Sequence, residues 1–125
     1  MQQKPVLLIV DDDPAVLRVS NSLLTQDGFE IIEAASGHEA LKMFQVTPGL
    51  HLDAVIMDVV MPGMHGLDLF EKVQELRPGL PVLFMSGHGE NTPLVSDIMG
   101  RKLAFIQKPF TSLLLIHKVR QMLGT

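Results

Sequence analysis

The feature that most constrains this chain is a series of apolar runs, each too short for a helix and most of them closed by a polar residue. Ala54-Val55-Ile56-Met57 ends in Asp58, and Val6-Leu7-Leu8-Ile9-Val10 ends in Asp11-Asp12-Asp13. Runs of this length bounded by turn signals suit strands buried on both faces, the habit of parallel sheets. Phe29 to Ala35, Pro81 to Met85 and Leu103 to Gln107 read as further strands, with Ser86 after the fourth and Lys108 after the fifth.

Helical signals fill the intervals. Asp13 stands as an N-cap with Pro14 at the first helical position, and Val16, Leu17, Val19, Leu23 and Leu24 recur at helical spacing until Gly28. Ser36-x-x-Glu39 is a capping box for a helix carrying Ala40, Leu41 and Phe44 and ending near Thr47-Pro48-Gly49. A third helix carries Leu69, Val73 and Leu76 to Arg77-Pro78-Gly79. Between Gly89 and Gly100, Pro93 and a sparse apolar set (Leu94, Val95, Ile98, Met99) predict a short or irregular fourth helix. Thr111 or Ser112 caps a fifth helix rich in Leu113, Leu114, Leu115, Ile116, Val119, Met122 and Leu123. That is more than one buried face requires; complete core burial is the expectation, with a protein contact as the alternative. Alternating strands and helices predict an α/β fold, a parallel sheet covered on both faces by right-handed crossovers. Residues 1–125 read as a single domain without linker, repeat or effector segment.

Composition narrows the function. Net charge −4 argues against a broad nucleic-acid surface, and with no Trp or Tyr there are no indole or phenol platforms for bases. No run approaches the ~18 apolar residues of a membrane span, and Met-Gln-Gln-Lys followed by Pro5 is not a signal peptide, so a cytoplasmic location is expected. The absence of cysteine excludes disulfides, thiolate zinc sites and thiol catalysis.

Ligands of open parallel sheets bind outside the carboxyl ends of the strands, near the switch point of the strand order. Asp11, Asp12, Asp58, Ser86 and Lys108 all fall on that rim, and the first and third strands are neighbours if the order is 2-1-3-4-5. Three carboxylates brought together repel, so either one is protonated or a hard divalent cation is held among them. Oxygen-only donors point to Mg²⁺ or Mn²⁺ rather than zinc. A cation, a carboxylate nucleophile (Asp58), a hydroxyl (Ser86) and an ammonium (Lys108) together suit phosphoryl transfer, with an acyl phosphate as the product. No His or Glu is obviously placed to drive rapid hydrolysis, which predicts a lingering modification and not a turnover enzyme.

VLLIVDDDP, DAVIMDVVMPGMHG, VLFMSG and FIQKPF, in that order and spacing, resemble the signatures of two-component response-regulator receiver domains over essentially the whole chain. The resemblance implies the flavodoxin-like (βα)5 fold with sheet order 2-1-3-4-5, and phosphorylation of Asp58 by a histidine kinase or phosphotransfer protein. It further implies that Asp12, Asp58 and the Val60 carbonyl bind Mg²⁺ directly while Asp11 acts through water. Lys108 contacts the phosphoryl group, Ser86 and Phe105 form the switch pair, and the Lys108-Pro109 bond is cis. Output through the fourth helix, fifth strand and fifth helix, and a monomer or weak dimer, follow from the same likeness. The VLFMSGH and FIQKPFT wording is most similar to receivers associated with hybrid sensor histidine kinases.

The chain also departs from the family. His65 replaces the carboxylate that commonly caps the third helix, and Met99-Gly100-Arg101-Lys102 replaces the usual lead into the fifth strand. Phe105 lacks the hydroxyl of the Tyr found in many relatives. The residue readings have structural rivals: Asp11 to Asp13 as caps, Ser86 as a turn residue, Lys108 as a solvated strand end, and His88 as a surface residue or an influence on dephosphorylation. An unphosphorylated flavodoxin-like interaction module is the alternative function. An aspartate-nucleophile phosphatase would need an acid where Val60 stands, and a cofactor binder a phosphate-cradling loop where the three acids stand.

Overall fold

The computed structural model describes residues 3–87, 98 and 103–124. Strands β1 (Val6–Val10), β2 (Glu30–Ala34), β3 (Ala54–Asp58), β4 (Val82–Ser86) and β5 (Ala104–Gln107) form one parallel sheet in the expected order, β2-β1-β3-β4-β5. The described helices are α1 (Pro14–Gln26), α2 (Gly37–Val46), α3 (Gly66–Leu76) and α4 (Ser112–Leu123), the last being the fifth helix of the sequence reading. The fourth helix expected between Gly89 and Gly100 lies, apart from Ile98, outside the described residues; Ile98 is buried, and its carbonyl accepts from Leu103 N at 3.2 Å.

Side chains of a strand alternate between faces, so the sheet supports two cores. Leu8, Val10, Val55, Met57 and Phe84 pack with Ala40 and Phe44 of α2 and Leu69 and Val73 of α3. Leu7, Ile9, Ile56, Leu83 and Met85 pack with Leu17 and Leu24 of α1 and Leu115 and Val119 of α4. Both faces of β1, β3 and β4 are thereby covered, which is why these strands read as unbroken apolar runs, while β2 and β5 are edges with partial exposure.

The predicted caps form. Asp13 Oδ1 accepts from Ala15 N at 2.9 Å, Ser36 Oγ from Glu39 N at 3.0 Å, and Thr111 Oγ1 from Leu114 N at 3.1 Å. Glu39 reaches Ala35 N at 3.2 Å, one residue earlier than the reciprocal bond of the standard capping box. His65 caps α3 without any side-chain hydrogen bond, as its replacement of a carboxylate foretells.

Some apolar positions differ from expectation. Val19 and Leu76 are 55% and 50% exposed, because helical rotation turns them away from the sheet; Ser20 occupies the inward position on α1. The last helix is not completely buried: Leu115 and Val119 face the core, but Leu113 is 79% exposed and Leu114 41%. Two arginines tie helix ends to neighbouring segments. Arg120 Nη2 donates to Asp27 Oδ2 at 2.6 Å and to Asp27 O at 3.0 Å, with its guanidinium 5.1 Å from the Phe29 ring centroid. Arg77 Nη2 donates to the Pro48 carbonyl at 3.0 Å and its guanidinium lies over Phe44 at 5.6 Å.

Candidate functional site

Sheet register assembles the site. Val10 is paired with Met57, so Asp11 and Asp58 emerge side by side at the carboxyl ends of β1 and β3. Asp58 is paired with Met85 and Ser86 with Gln107, which brings Ser86 and Lys108 to the same rim; Lys108 N donates to the Ser86 carbonyl at 2.7 Å. Asp11, Asp12 and Asp58 each present a carboxylate oxygen within 4.8 Å of the others. These residues, with Val60 and Gly87, line a cleft of about 340 Å³.

Asp11 is fully buried and Asp58 is 8% exposed, whereas Asp12 lies open to solvent. Buried carboxylates need charge or hydrogen-bond compensation. Lys108 supplies it, its Nζ lying 2.8 Å from Asp11 Oδ2 and 3.1 Å from Asp58 Oδ2. Asp11 Oδ1 also accepts from Asp13 N at 2.9 Å, and Asp58 Oδ1 from Val60 N at 3.2 Å. Burial pushes the Asp58 carboxyl above the usual range, and neighbouring Asp11 adds to this; the Lys108 charge and the hydrogen bonds from Lys108 and Val60 oppose it without cancelling it. For Lys108, burial alone lowers the ammonium pKa, but the Asp11 hydrogen bond and the two carboxylate charges outweigh it and the net shift is upward.

An all-oxygen donor set with two buried carboxylates and one exposed fits a hard divalent cation of the Mg²⁺ or Mn²⁺ type, with Asp12 on the solvent side. Ser86 is 2% exposed. By strand alternation its side chain shares a face with Phe84 and with Phe105, which is paired with Phe84 across β4 and β5 and packs half-buried on the α2/α3 core. The Lys108-Pro109 bond is cis, as expected. His88 lies outside the described residues.

The structure adds Gly66, which the sequence marks only as part of a turn cluster. Its N donates to the Val59 carbonyl at 2.8 Å, and a Cβ built there would stand 2.9 Å from Val59 Cα and closer still to the Asp58 carbonyl oxygen. A glycine directly after a Pro/Gly turn and opening a helix is the available signal, but the backbone it touches is visible only in three dimensions.

Comparison with known proteins places these observations. The model of the response regulator receiver domain family matches residues 7–120. The transcriptional regulatory protein GlrR of Escherichia coli (strain K12) is 36% identical over 110 residues, 87% of this chain and 24% of that protein. The sensor kinase CckA of Brucella abortus (strain 2308) is 34% identical over 117 residues, 94% of this chain and 12% of that protein. The chain thus spans a quarter or less of these relatives. A crystal structure of a CheY-like response regulator receiver domain protein from Methanospirillum hungatei JF-1 superposes with a TM-score of 0.86 at 28% identity, covering 98% of this chain and 95% of that one.

Proposed function

The chain belongs to the response regulator receiver domain family, and from that premise we propose that Asp58 is the phosphoacceptor of a two-component phosphorelay. The observation that carries the reading is the bridge made by Lys108 Nζ between Asp11 and Asp58, beside a third carboxylate within 4.8 Å. A carboxylate nucleophile must be ionised and must approach an anionic phosphoryl group, and both demands call for positive charge at this rim.

Asp11, Asp12 and Asp58, with the Val60 carbonyl, are the residues that would hold Mg²⁺ or Mn²⁺, Asp11 partly through water. When bound, the cation supplies charge neutralisation to the phosphoryl oxygens. Lys108 favours the ionised form of Asp58 against its burial, and its ammonium, bridging Asp11 and Asp58 at the rim, is the protein's charge for an incoming phosphoryl oxygen. The Val60 amide orients the Asp58 carboxylate through Oδ1. An Asp58 oxygen attacks phosphorus, the bond from phosphorus to the donor's histidine nitrogen breaks, and the electron pair stays on that nitrogen. The donor is a histidine kinase or a phosphotransfer protein, and the sensor-kinase relative supports a hybrid-kinase setting as one context.

Phosphate adds roughly two negative charges at the strand ends. Ser86 senses them through its hydroxyl, and Phe105, with no hydroxyl of its own, responds by repacking against the Phe84 side of the sheet. The changed surface includes β5 and α4, and a downstream protein that distinguishes the two packings reads the signal. The domain acts as a switch whose phosphate is lost slowly, not as a turnover enzyme.

Incubation with a small acyl phosphate and Mg²⁺, followed by intact mass, tests the reading. Wild type gains one phosphoryl group and Asp58→Asn gains none; equal labelling of the two overturns the assignment.

A further inference from the structure

Residues 59–65 connect β3 to α3 and carry the Val60 backbone beside Asp58, and Met64 in this segment lies against the first turn of α2. Gly37, the first residue of α2, leaves a slot that Met64 fills: a Cβ built on Gly37 would stand 2.9 Å from Met64 Sδ and 3.2 Å from Met64 Cβ and Cγ. Next to it, His38 lies over Gly63, with Nε2 3.6 Å from where a Cβ would be; Gly63 itself has φ +82°, a conformation that favours glycine. Met61 anchors the segment as well, 2% exposed in the same α2/α3 core that Met64 packs against. Val60, between these anchors and Asp58, is 46% exposed, so its own side chain does little to hold it. Its backbone orientation is therefore set by its neighbours: Val59, fully buried, with N donating to the Met85 carbonyl at 2.9 Å and its own carbonyl accepting from Gly66 N at 2.8 Å, Met61 after it, and the Met64 seat further along.

We propose that Gly37 and Met64 are positioning residues for the Asp58 site: the seating of Met64 on Gly37 fixes the backbone at Val60, and with it the amide that orients Asp58 and the carbonyl offered to the cation. This rests on the proposed function for its consequence in cation binding, but not for its structural content. A methyl group on Gly37 pushes Met64 and the segment outward, because close-packed neighbours transmit a displacement they cannot absorb. Removing the Met64 side chain leaves the same segment unseated. The two changes act through one contact, so their effects are non-additive.

The test compares wild type, Gly37→Ala, Met64→Ala and the double variant in the full chain. Amide hydrogen exchange of Val60 is measured without metal, and the Mg²⁺ dissociation constant by calorimetric titration. Each single variant exchanges Val60 N–H several-fold faster and binds Mg²⁺ about 3- to 10-fold more weakly, and the double variant is no worse than the poorer single. Unchanged Val60 exchange in both single variants overturns the proposal, as do additive losses in the double. Equal acceleration of Val60 and of the β4 core amides also overturns it, since that is a general loss of stability. If wild type itself binds no Mg²⁺, the proposed cation function fails while the exchange data still decide the positioning role.

Discussion

At the scale of single residues, Asp58 is held in conflict: it sits among apolar strands and beside another carboxylate, and Lys108 and the Val60 amide relieve it. Because burial, with Asp11 adding to it, raises the Asp58 pKa above its ordinary value of 3.8, the folded state binds that proton more tightly than the unfolded chain. Above the raised value the ionised group therefore costs the metal-free fold stability, and as pH falls through that value toward 3.8 the cost disappears. Asp58→Asn removes the charge while Lys108 keeps Asp11 as a partner. In the absence of divalent cations it should stabilise the protein at pH 7 to 8 by on the order of 1 kcal/mol. Thermal unfolding across pH checks the sign: the advantage of the variant shrinks as the solution is acidified toward pH 4. Lys108 has a linkage of the same sign in a higher pH window, its pairing being fully present below 10.5 and lost as pH rises through its elevated folded value. Gly66 gives a second prediction at this scale. Ala has no room against Val59 Cα and the Asp58 carbonyl, both backbone, so Gly66→Ala costs about 2 kcal/mol or more, read as a lowered denaturant midpoint. Asp11, Asp12, Asp58, Ser86 and Lys108 were legible in the sequence because each is a polar residue closing an apolar run, and a parallel sheet puts all such ends on one rim. Gly66, and the fit of Met64 on Gly37, were not legible, because they depend on atoms brought together across elements and leave no periodic trace.

At the scale of elements, the helices show where periodicity informs and where it does not. Capping residues at Asp13, Ser36 and Thr111 were readable because a cap is a local interaction within a few residues. The inward face was less so. On α1 the buried set is Leu17, Ser20 and Leu24, and Val19, an apolar residue at plausible spacing, points outward. On α4 the run Leu113-Leu114-Leu115 gives no direction by itself, since three consecutive residues of one type sweep about 200° of the helix surface. The structure assigns Leu115 to the core with Val119 and leaves Leu113 outside. Leu115→Ala should therefore cost about 2–5 kcal/mol, whereas Leu113→Gln should change stability by no more than about 0.5 kcal/mol. Equilibrium urea unfolding of the two variants side by side distinguishes them, and comparable losses would contradict the assignment of faces. The Arg120 clamp is likewise an inter-element feature. It joins the end of α4 to the end of α1 through Asp27 and covers Phe29, and no sequence signal pairs residues so far apart.

At the scale of the whole molecule, the sheet order makes one rim the meeting point of four strands, so the fold and the site are not separable. Buried strands β1, β3 and β4 carry their polar ends out of the best-packed part of the protein, and a ligand that binds those ends must stabilise the fold as a whole. Added Mg²⁺ should raise the melting temperature, by a free energy that grows as RT ln(1 + [Mg²⁺]/Kd), about 1.4 kcal/mol per tenfold increase once the site is saturated. Removing the cation with a chelator reverses the gain. Two controls separate a site from general ionic screening: NaCl at matched ionic strength gives no comparable increase, and Asp12→Asn loses most of it without losing the fold, Asp12 being exposed. Protons compete for the same carboxylates, so the gain from Mg²⁺ is largest near neutral pH and contracts as pH falls through the raised pKa of Asp58. That direction is opposite to the stabilising effect of acid on the metal-free Asp58 carboxyl. The curves of melting temperature against pH with and without Mg²⁺ must then converge on the acid side, and curves that stay parallel would remove Asp58 from the cation site.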